Sequence, residues 1–428
     1  MRMMRTAAAA DGEQVPGEHW LNAERVRLYS AVSLVAYVLF FSIWIWRTCL
    51  SRQGDASLFG GDFVAFWSAA QLALNGNPTG AYDDATLRLV EIAAMPALAS
   101  AGGTLPWLYP PSFLLLVCPL ALLTFGAAYG AFIGTTGALY LWAGSRIASW
   151  RGAWLPGMAF PGIAVVCATG QNALLTAGLA ALSLTMVRRH PVAAGLVMGI
   201  LTIKPHLALL FPLALVCARA WKALAAMAAS SAALLALSAS VFGTETFFSF
   251  LANVDMARLA VEGGEAKLVR MPTVFALVRL LGGNLALSYG IHAMVAALAA
   301  GVVIYAWCRP ASFPLRASAL MAATLMLSPY LYDYDLAFLG FVILWLAGYA
   351  IERGWMRWEK ELLLVLWLTP LLGLLVVQAI GFQFMPLAIL ATLSHVVRRI
   401  RTERVQHPEP CHNNETRVGE VGHDRSIR

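Results

Sequence analysis

Chemistry-bearing side chains are sparse in this sequence and come in five short blocks. Asp62 stands in GGDFVAFWSAAQLALNGNP, residues 60–78. The spacing of Phe63, Phe66, Trp67, Ala70 and Leu74 predicts a short helix with one apolar stripe, lying in the membrane interface and ended by Gly76 and Pro78. A carboxylate at such a helix start can cap backbone N–H groups or act as a general base, and the two roles are compatible. Lys204 sits between two apolar runs and is followed by Pro205 and His206. A cation held there calls for an anion, and a phosphate at headgroup level suits it, with His206 as a further donor or a packed ring. Gly170-Gln171-Asn172 puts two amides at a turn, where they either satisfy the turn's own backbone or hydrogen-bond sugar hydroxyls. Tyr109-Pro110-Pro111 marks a helix start with an interfacial tyrosine. Tyr330 to Asp335 holds three tyrosines and two acids, Asp333 and Asp335. Those acids are two apart, so on a helix they point to different faces, and Asp335 is also placed to cap the next span. Paired acids raise metal binding or acid/base work.

The elements that must position these blocks are membrane spans. The chain has 428 residues, 60% hydrophobic and 12% charged, against about 25% charged in a soluble domain. Apolar runs fall near 29–50, 107–123, 127–146, 154–169, 172–187, 191–203, 205–218, 222–242, 285–307, 314–328, 335–350, 361–378 and 381–397. Several are shorter than the roughly 20 residues of a full crossing. The expected fold is therefore an all-α polytopic bundle of about 12–13 transmembrane or partial helices, with an external amphipathic helix after the first span. The net charge of +7 sits in clusters between spans and does not suggest nucleic-acid binding. The six cysteines show neither CxxC pairs nor ligand spacing, and Cys411-His412 is a weak metal signal. The N-terminus has no continuous apolar region of a cleaved leader, so the first span is expected to serve as targeting signal. Phosphate-binding loops, dinucleotide fingerprints and HExxH are absent from the sequence.

Basic clusters set the expected orientation. Arg25/Arg27, Arg188-Arg189, Arg219/Lys222, Arg309/Arg316, Arg353/Arg357/Lys360 and Arg398-Arg399-Arg401 are assigned to the cytoplasm. Residues 1–28 and 398–428 then form cytoplasmic tails around an integral domain, 29–397, with external loops at 51–105 (holding interfacial helices) and 243–284. Within the second loop, Gly243 to Arg270 reads as a mobile cover or a linker. From Arg188 onward the alternation is regular, but thirteen crossings would leave the C-terminus outside. Either one run between 105 and 153 does not cross, or Arg146 and Arg151 lie outside. All five chemical blocks fall on the outer face, where chance would have divided them.

The blocks GGDFVAFWSAAQLALNGNP, LYPPSFLLLVCPLALL, TGQNALLTAGL, GILTIKPHLALLFPLAL and LSPYLYDYDLAFLG resemble, in the same order over roughly residues 55–345, the motifs of glycosyltransferase family 87. These are membrane enzymes of the GT-C class, related to polyprenol-phosphate-mannose-dependent α-1,2-mannosyltransferases. The resemblance implies a GT-C-like bundle, a polyprenyl-phosphate sugar as donor, a hexose such as mannose, and a glycolipid or glycan hydroxyl as acceptor. It implies a plasma-membrane enzyme with its site facing outside the cytoplasm, with Asp62 as catalytic base. Physical chemistry then assigns Lys204, His206 and Arg270 to the donor phosphate, whose charge grows as it leaves. Tyr109, Gln171, Asn172, Tyr332, Asp333 and Asp335 are the expected contacts of sugar and acceptor. One base and one displacement predict inversion, with no cofactor and no metal required. Where mycobacterial relatives carry a Trp-Asp-His-His stretch after Ser-Pro, this chain has Tyr332-Asp333-Tyr334-Asp335. Two other readings fit the same features: a transporter or flippase of lipid-linked sugars, and a non-catalytic subunit of an envelope-assembly complex.

Overall fold

A computed structural model describes residues 19–47, 60–101, 105–148, 150, 152–264 and 266–406. Most of the N-terminal tail, the segment 48–59 with Cys49, Arg151, and the C-terminal tail from 407 with Cys411-His412 lie outside the described residues. Among those described, the chain is all-helical. Among the described residues, each of the thirteen apolar runs is mostly helical. Five helices are long and apolar enough to cross a membrane by themselves: Ala23–Ile45, Trp221–Phe242, Leu285–Trp307, Asp333–Arg353 and Glu359–Ile380. This is a polytopic membrane protein.

The shorter runs are short because proline punctuates them. Pro111, Pro161, Pro191 and Pro205 each stand in the first turn of a helix. Proline lacks the N–H that would continue a preceding helix, but its fixed φ suits a helix start. The polar turns between these pieces thus arise from backbone chemistry. Three of the turns, at Tyr109, Asn172 and Lys204, meet in one place.

The run 107–123 packs against one neighbouring helix at both ends. Its start packs on the Gly61–Leu74 helix, with the Tyr109 and Phe66 rings 5.2 Å apart. Its end returns to the same helix, where Trp67 Nε1 donates to Leu123 O at 3.0 Å. Both ends therefore touch neighbouring residues, and the run folds back on that helix. The Phe125–Ile147 helix then leads away to the opposite end, where Gly152 lies beside Arg27 and Trp150 beside Gly348. The neighbourhood of Arg146 thus shares an end with the first basic cluster. At that end Lys360 donates to Leu21 O at 3.2 Å, and Arg399 and His395 both bind the buried Glu359 carboxylate.

Two local expectations change. The Gly61–Leu74 helix forms, but ten of its fourteen residues are buried, so it is packed on most sides and has no single interfacial stripe. Phe66 alone meets Trp107, Tyr109, Phe113 and Phe132 edge-on at 5.1–5.8 Å. Edge-to-face packing of this kind adds about 0.5–1.5 kcal/mol per pair, which holds the helix firmly. The stretch 243–284, expected as a loop, is largely helical: Glu245–Gly263, a 3₁₀ turn Leu268–Arg270, and Val274–Leu280. Its mixed charges read as loop-like in isolation. On the helix they become neighbours, with Arg258 at 3.7 Å from Asp255 and 3.9 Å from Glu262.

Candidate active site

Two glycines bring the first block against the second. Gly60 (φ +63°) and Gly170 (φ +78°) both adopt the left-handed conformation that favours glycine. Gly60 N donates to Ala168 O at 3.0 Å, and a Cβ on Gly170 would lie 2.6 Å from Phe63 Cβ. This close approach sets Asp62 beside Gln171. Gln171 Nε2 donates to Asp62 Oδ2 at 2.9 Å, and Tyr109 Oη donates to Gln171 Oε1 at 2.8 Å. Tyr109 is placed in turn by Tyr82, whose hydroxyl donates to the Tyr109 carbonyl at 3.0 Å. The Tyr109 bond to Oε1 turns the amide so that its NH₂ faces Asp62.

Asp62 is not an N-cap. Gly60 occupies the capping position, no side chain caps the helix, and Asp62 lies in the first helical turn. Gln171 likewise spends its amide on Asp62 and Tyr109, and Asn172 Oδ1 faces Lys204, so neither serves its own turn as the simpler reading expected.

Lys204 finds its anion within the protein. Its Nζ donates to Asp335 Oδ1 at 2.6 Å and lies 3.4 Å from Asn172 Oδ1. The Tyr334 ring packs 4.7 Å from the ammonium. The Lys204 side chain is 5% exposed and that of Asp335 is 1% exposed. In this structure the counter-ion that burial demands is Asp335. Asp335 is accordingly an ion-pair partner and not a cap of the following helix.

Asp333 and Asp335 diverge, as their spacing requires. Arg270 grips Asp333 through Nε to Oδ2 at 3.1 Å and Nη2 to Oδ1 at 2.9 Å. The Arg270 side chain remains 25% exposed. Tyr332 and Tyr334 stack at 5.7 Å. His206 is set apart from this network: its Nε2 is buried and has no hydrogen-bond partner.

Three carboxylates and two cations thus share the site. Asp333 and Asp335 each hold a cation, whereas Asp62 forms no ion pair among the described residues. Burial pushes the Asp62 carboxyl above the ordinary carboxylate range; Arg270, the Gln171 hydrogen bond and Lys204 pull it back, while Asp333 pushes it up. A half-buried carboxylate with one oxygen held by a neutral amide and the other unbonded is equipped to take a proton.

Two residues of this region were not singled out in the sequence. Tyr334, inside a quoted block, caps Lys204 with its ring. Gln383 is fully buried, and its Nε2 donates to Met271 O at 3.0 Å and Val269 O at 3.4 Å, fixing the turn that carries Arg270. The only signal for Gln383 was a lone amide in the last apolar run.

The profile of glycosyltransferase family 87 matches residues 107–329, just over half of the 428-residue chain. This chain belongs to glycosyltransferase family 87. The matched region of this family-87 chain includes Tyr109, Gln171, Asn172, Lys204, His206 and Arg270; Asp62 and the Asp333/Asp335 pair lie outside it and join the site through the contacts above. No curated protein and no solved structure matches the chain. Membership makes the protein a glycosyltransferase, with a sugar donor and an acceptor as substrates.

Proposed function

We propose that this glycosyltransferase moves a hexose, mannose by its family resemblance, from a polyprenyl-phosphate sugar to an acceptor hydroxyl at the extracytoplasmic membrane face, with inversion. One observation carries the reading: of the three site carboxylates, Asp62 is the one without a cation. Ion-paired Asp333 and Asp335 are poor bases, because protonating either would strand a buried or half-buried cation. Asp62 takes the proton of the acceptor hydroxyl as that oxygen attacks the anomeric carbon. The bond from that carbon to the phosphate oxygen breaks, and its electron pair leaves with the polyprenyl phosphate.

The leaving phosphate gains charge, and Arg270 is the cation best exposed to meet it. Lys204, buried behind Asn172, contributes its field and holds Asp335 in place. Tyr332, partly exposed and backed by the stacked Tyr334 ring, offers a ring face of the kind a sugar packs against. A single displacement with one base inverts the anomeric centre. The basic clusters, placed inside, give the orientation, and the family resemblance gives the plasma membrane.

The test is transfer from a synthetic polyprenyl-phosphate mannose by purified protein in detergent. Asp62→Asn keeps the size and the hydrogen bond geometry but removes the base, so transfer is expected to fall by about 10²–10⁴-fold. A near wild-type rate would overturn the assignment. Because detergent abolishes compartments, donor consumption there also separates transfer from transport.

A further inference from the structure

The Glu245–Gly263 helix takes no part in the chemistry above, yet it presents distinct faces. One side is buried through Thr246, Asn253 and Val261. From that side Asn253 Nδ2 donates to Trp107 O at 3.0 Å. Near its end, Glu262 Oε1 accepts from the Tyr289 hydroxyl at 2.8 Å, and Tyr289 in turn bonds the Tyr330 hydroxyl. The helix is thus tied at its middle to the strand of chain leading into Tyr109, and at its end to the block that carries Tyr332 and Asp333.

On the exposed side an apolar stripe runs beside a charged strip formed by Asp255, Arg258 and Glu262. Phe248, Ala252, Met256 and Leu259 follow one another at intervals of four, four and three, a single stripe on a helix. Phe248 is 71% exposed, Met256 51% and Leu259 57%. Asp255 and Arg258 flank the stripe and are also exposed. The helix is not one of the five that can cross a membrane, and Glu245, Asp255, Arg258 and Glu262 explain why.

Its position names the surface it meets. It follows the Trp221–Phe242 span after a turn at Gly243 (φ +81°). That span leaves most of its surface open, with Val241 exposed just before the turn. The helix thus begins where the chain leaves that span. An apolar stripe bordered by charges is suited to the headgroup layer, where rings and aliphatic chains reach down while charged ends stay wet.

We propose that the Glu245–Gly263 helix lies in the lipid headgroup layer, its Phe248–Leu259 stripe inserted into the bilayer surface, and that the bilayer is its partner. Through Asn253 and Glu262 the helix sets the depth at which the site opens. The inference does not depend on the donor or on transfer.

Nitroxide labels placed at Phe248→Cys, Leu259→Cys and Arg258→Cys, in a chain with its native cysteines replaced by serine and reconstituted into phosphatidylcholine vesicles, test it. At 248 and 259, collisions with dissolved oxygen are expected to exceed those with a water-soluble nickel chelate several-fold; at 258 the order reverses. Equal nickel access at all three sites, or shielding of 248 and 259 from both reagents, would overturn the proposal, the first pointing to water and the second to a protein cover. The unaltered chain gives a second reading. In vesicles containing an acyl-diazirine phosphatidylcholine, illumination should leave lipid adducts on the peptide spanning 248–259, and their absence overturns the proposal whatever the labelled variants do.

Discussion

Gln171 Nε2 donates to Asp62 Oδ2 at 2.9 Å, linking residues 109 positions apart in the chain. The next residue, Asn172, faces Lys204 at 3.4 Å. Two consecutive amides at one turn therefore join the free carboxylate to the buried ion pair. The arrangement makes Gln171 an orienting residue for Asp62, itself oriented by Tyr109.

Gln171→Ala should lower the transfer rate by about 10²-fold, since it frees the Asp62 carboxylate to rotate out of line. It should also move the pH dependence. A base must be ionised to act, so activity falls on the acid side of its pKa. Burial already places that limb above the ordinary carboxylate range, and the Gln171 hydrogen bond favours the ionised form. Removing the bond raises the pKa further, and the acid limb shifts to higher pH. A pH–rate profile of both proteins checks this; an unshifted limb would sever Gln171 from Asp62.

The Lys204–Asp335 pair should behave as a buried unit. Lys204→Met or Asp335→Asn alone leaves one uncompensated charge and is expected to cost roughly 3–5 kcal/mol. The double variant should recover much of that loss. Thermal unfolding in detergent measures all three; additive losses in the double variant would show that the two charges do not depend on each other.

Gly170→Ala should destabilise by a few kcal/mol and reduce transfer. It puts a side chain at φ +78° and a Cβ 2.6 Å from Phe63 Cβ, with Gly60 Cα at 3.0 Å. Gly126→Ala, at a helical site where a Cβ meets nothing within 4 Å, is the control and should be near neutral. Unfolding temperatures and transfer rates compare the two.

Glu91 offers a pH-dependent test away from the site. It is 1% exposed on the Asp84–Ala94 helix, and burial pushes its carboxyl up to about 7, against the Leu105 N–H bond and Arg88, which lower it. The folded state thus holds the proton more tightly than the unfolded state. Its contribution is fully present below the unfolded pKa near 4.5 and is lost as pH rises through about 7. Glu91→Gln should therefore stabilise the protein at pH 8, by at most roughly 3 kcal/mol, and leave it unchanged at pH 4.5. Unfolding temperatures at the two pH values decide it.

Much of this protein could be read in one dimension. A span announces itself through hydropathy alone, because the bilayer penalises every polar group in the run, and the thirteen runs are mostly helical among the described residues. Proline fixed where the short helices begin, for a reason internal to the backbone. The blocks around Asp62, Gln171, Lys204 and Asp333 stood out because polar residues in an apolar chain are few. Their partners did not. Nothing in the sequence says that Lys204 takes Asp335 and Arg270 takes Asp333, leaving Asp62 unpaired; that follows from packing, which brings residues 131 and 63 positions apart within hydrogen-bond reach. Nor could periodicity tell that the 107–123 run turns back on the Gly61–Leu74 helix, since a buried helix and a crossing one carry the same apolar residues. Local chemistry determined the elements and the candidate groups. Tertiary contact decided which carboxylate stays free, because only in three dimensions can charges be counted against one another.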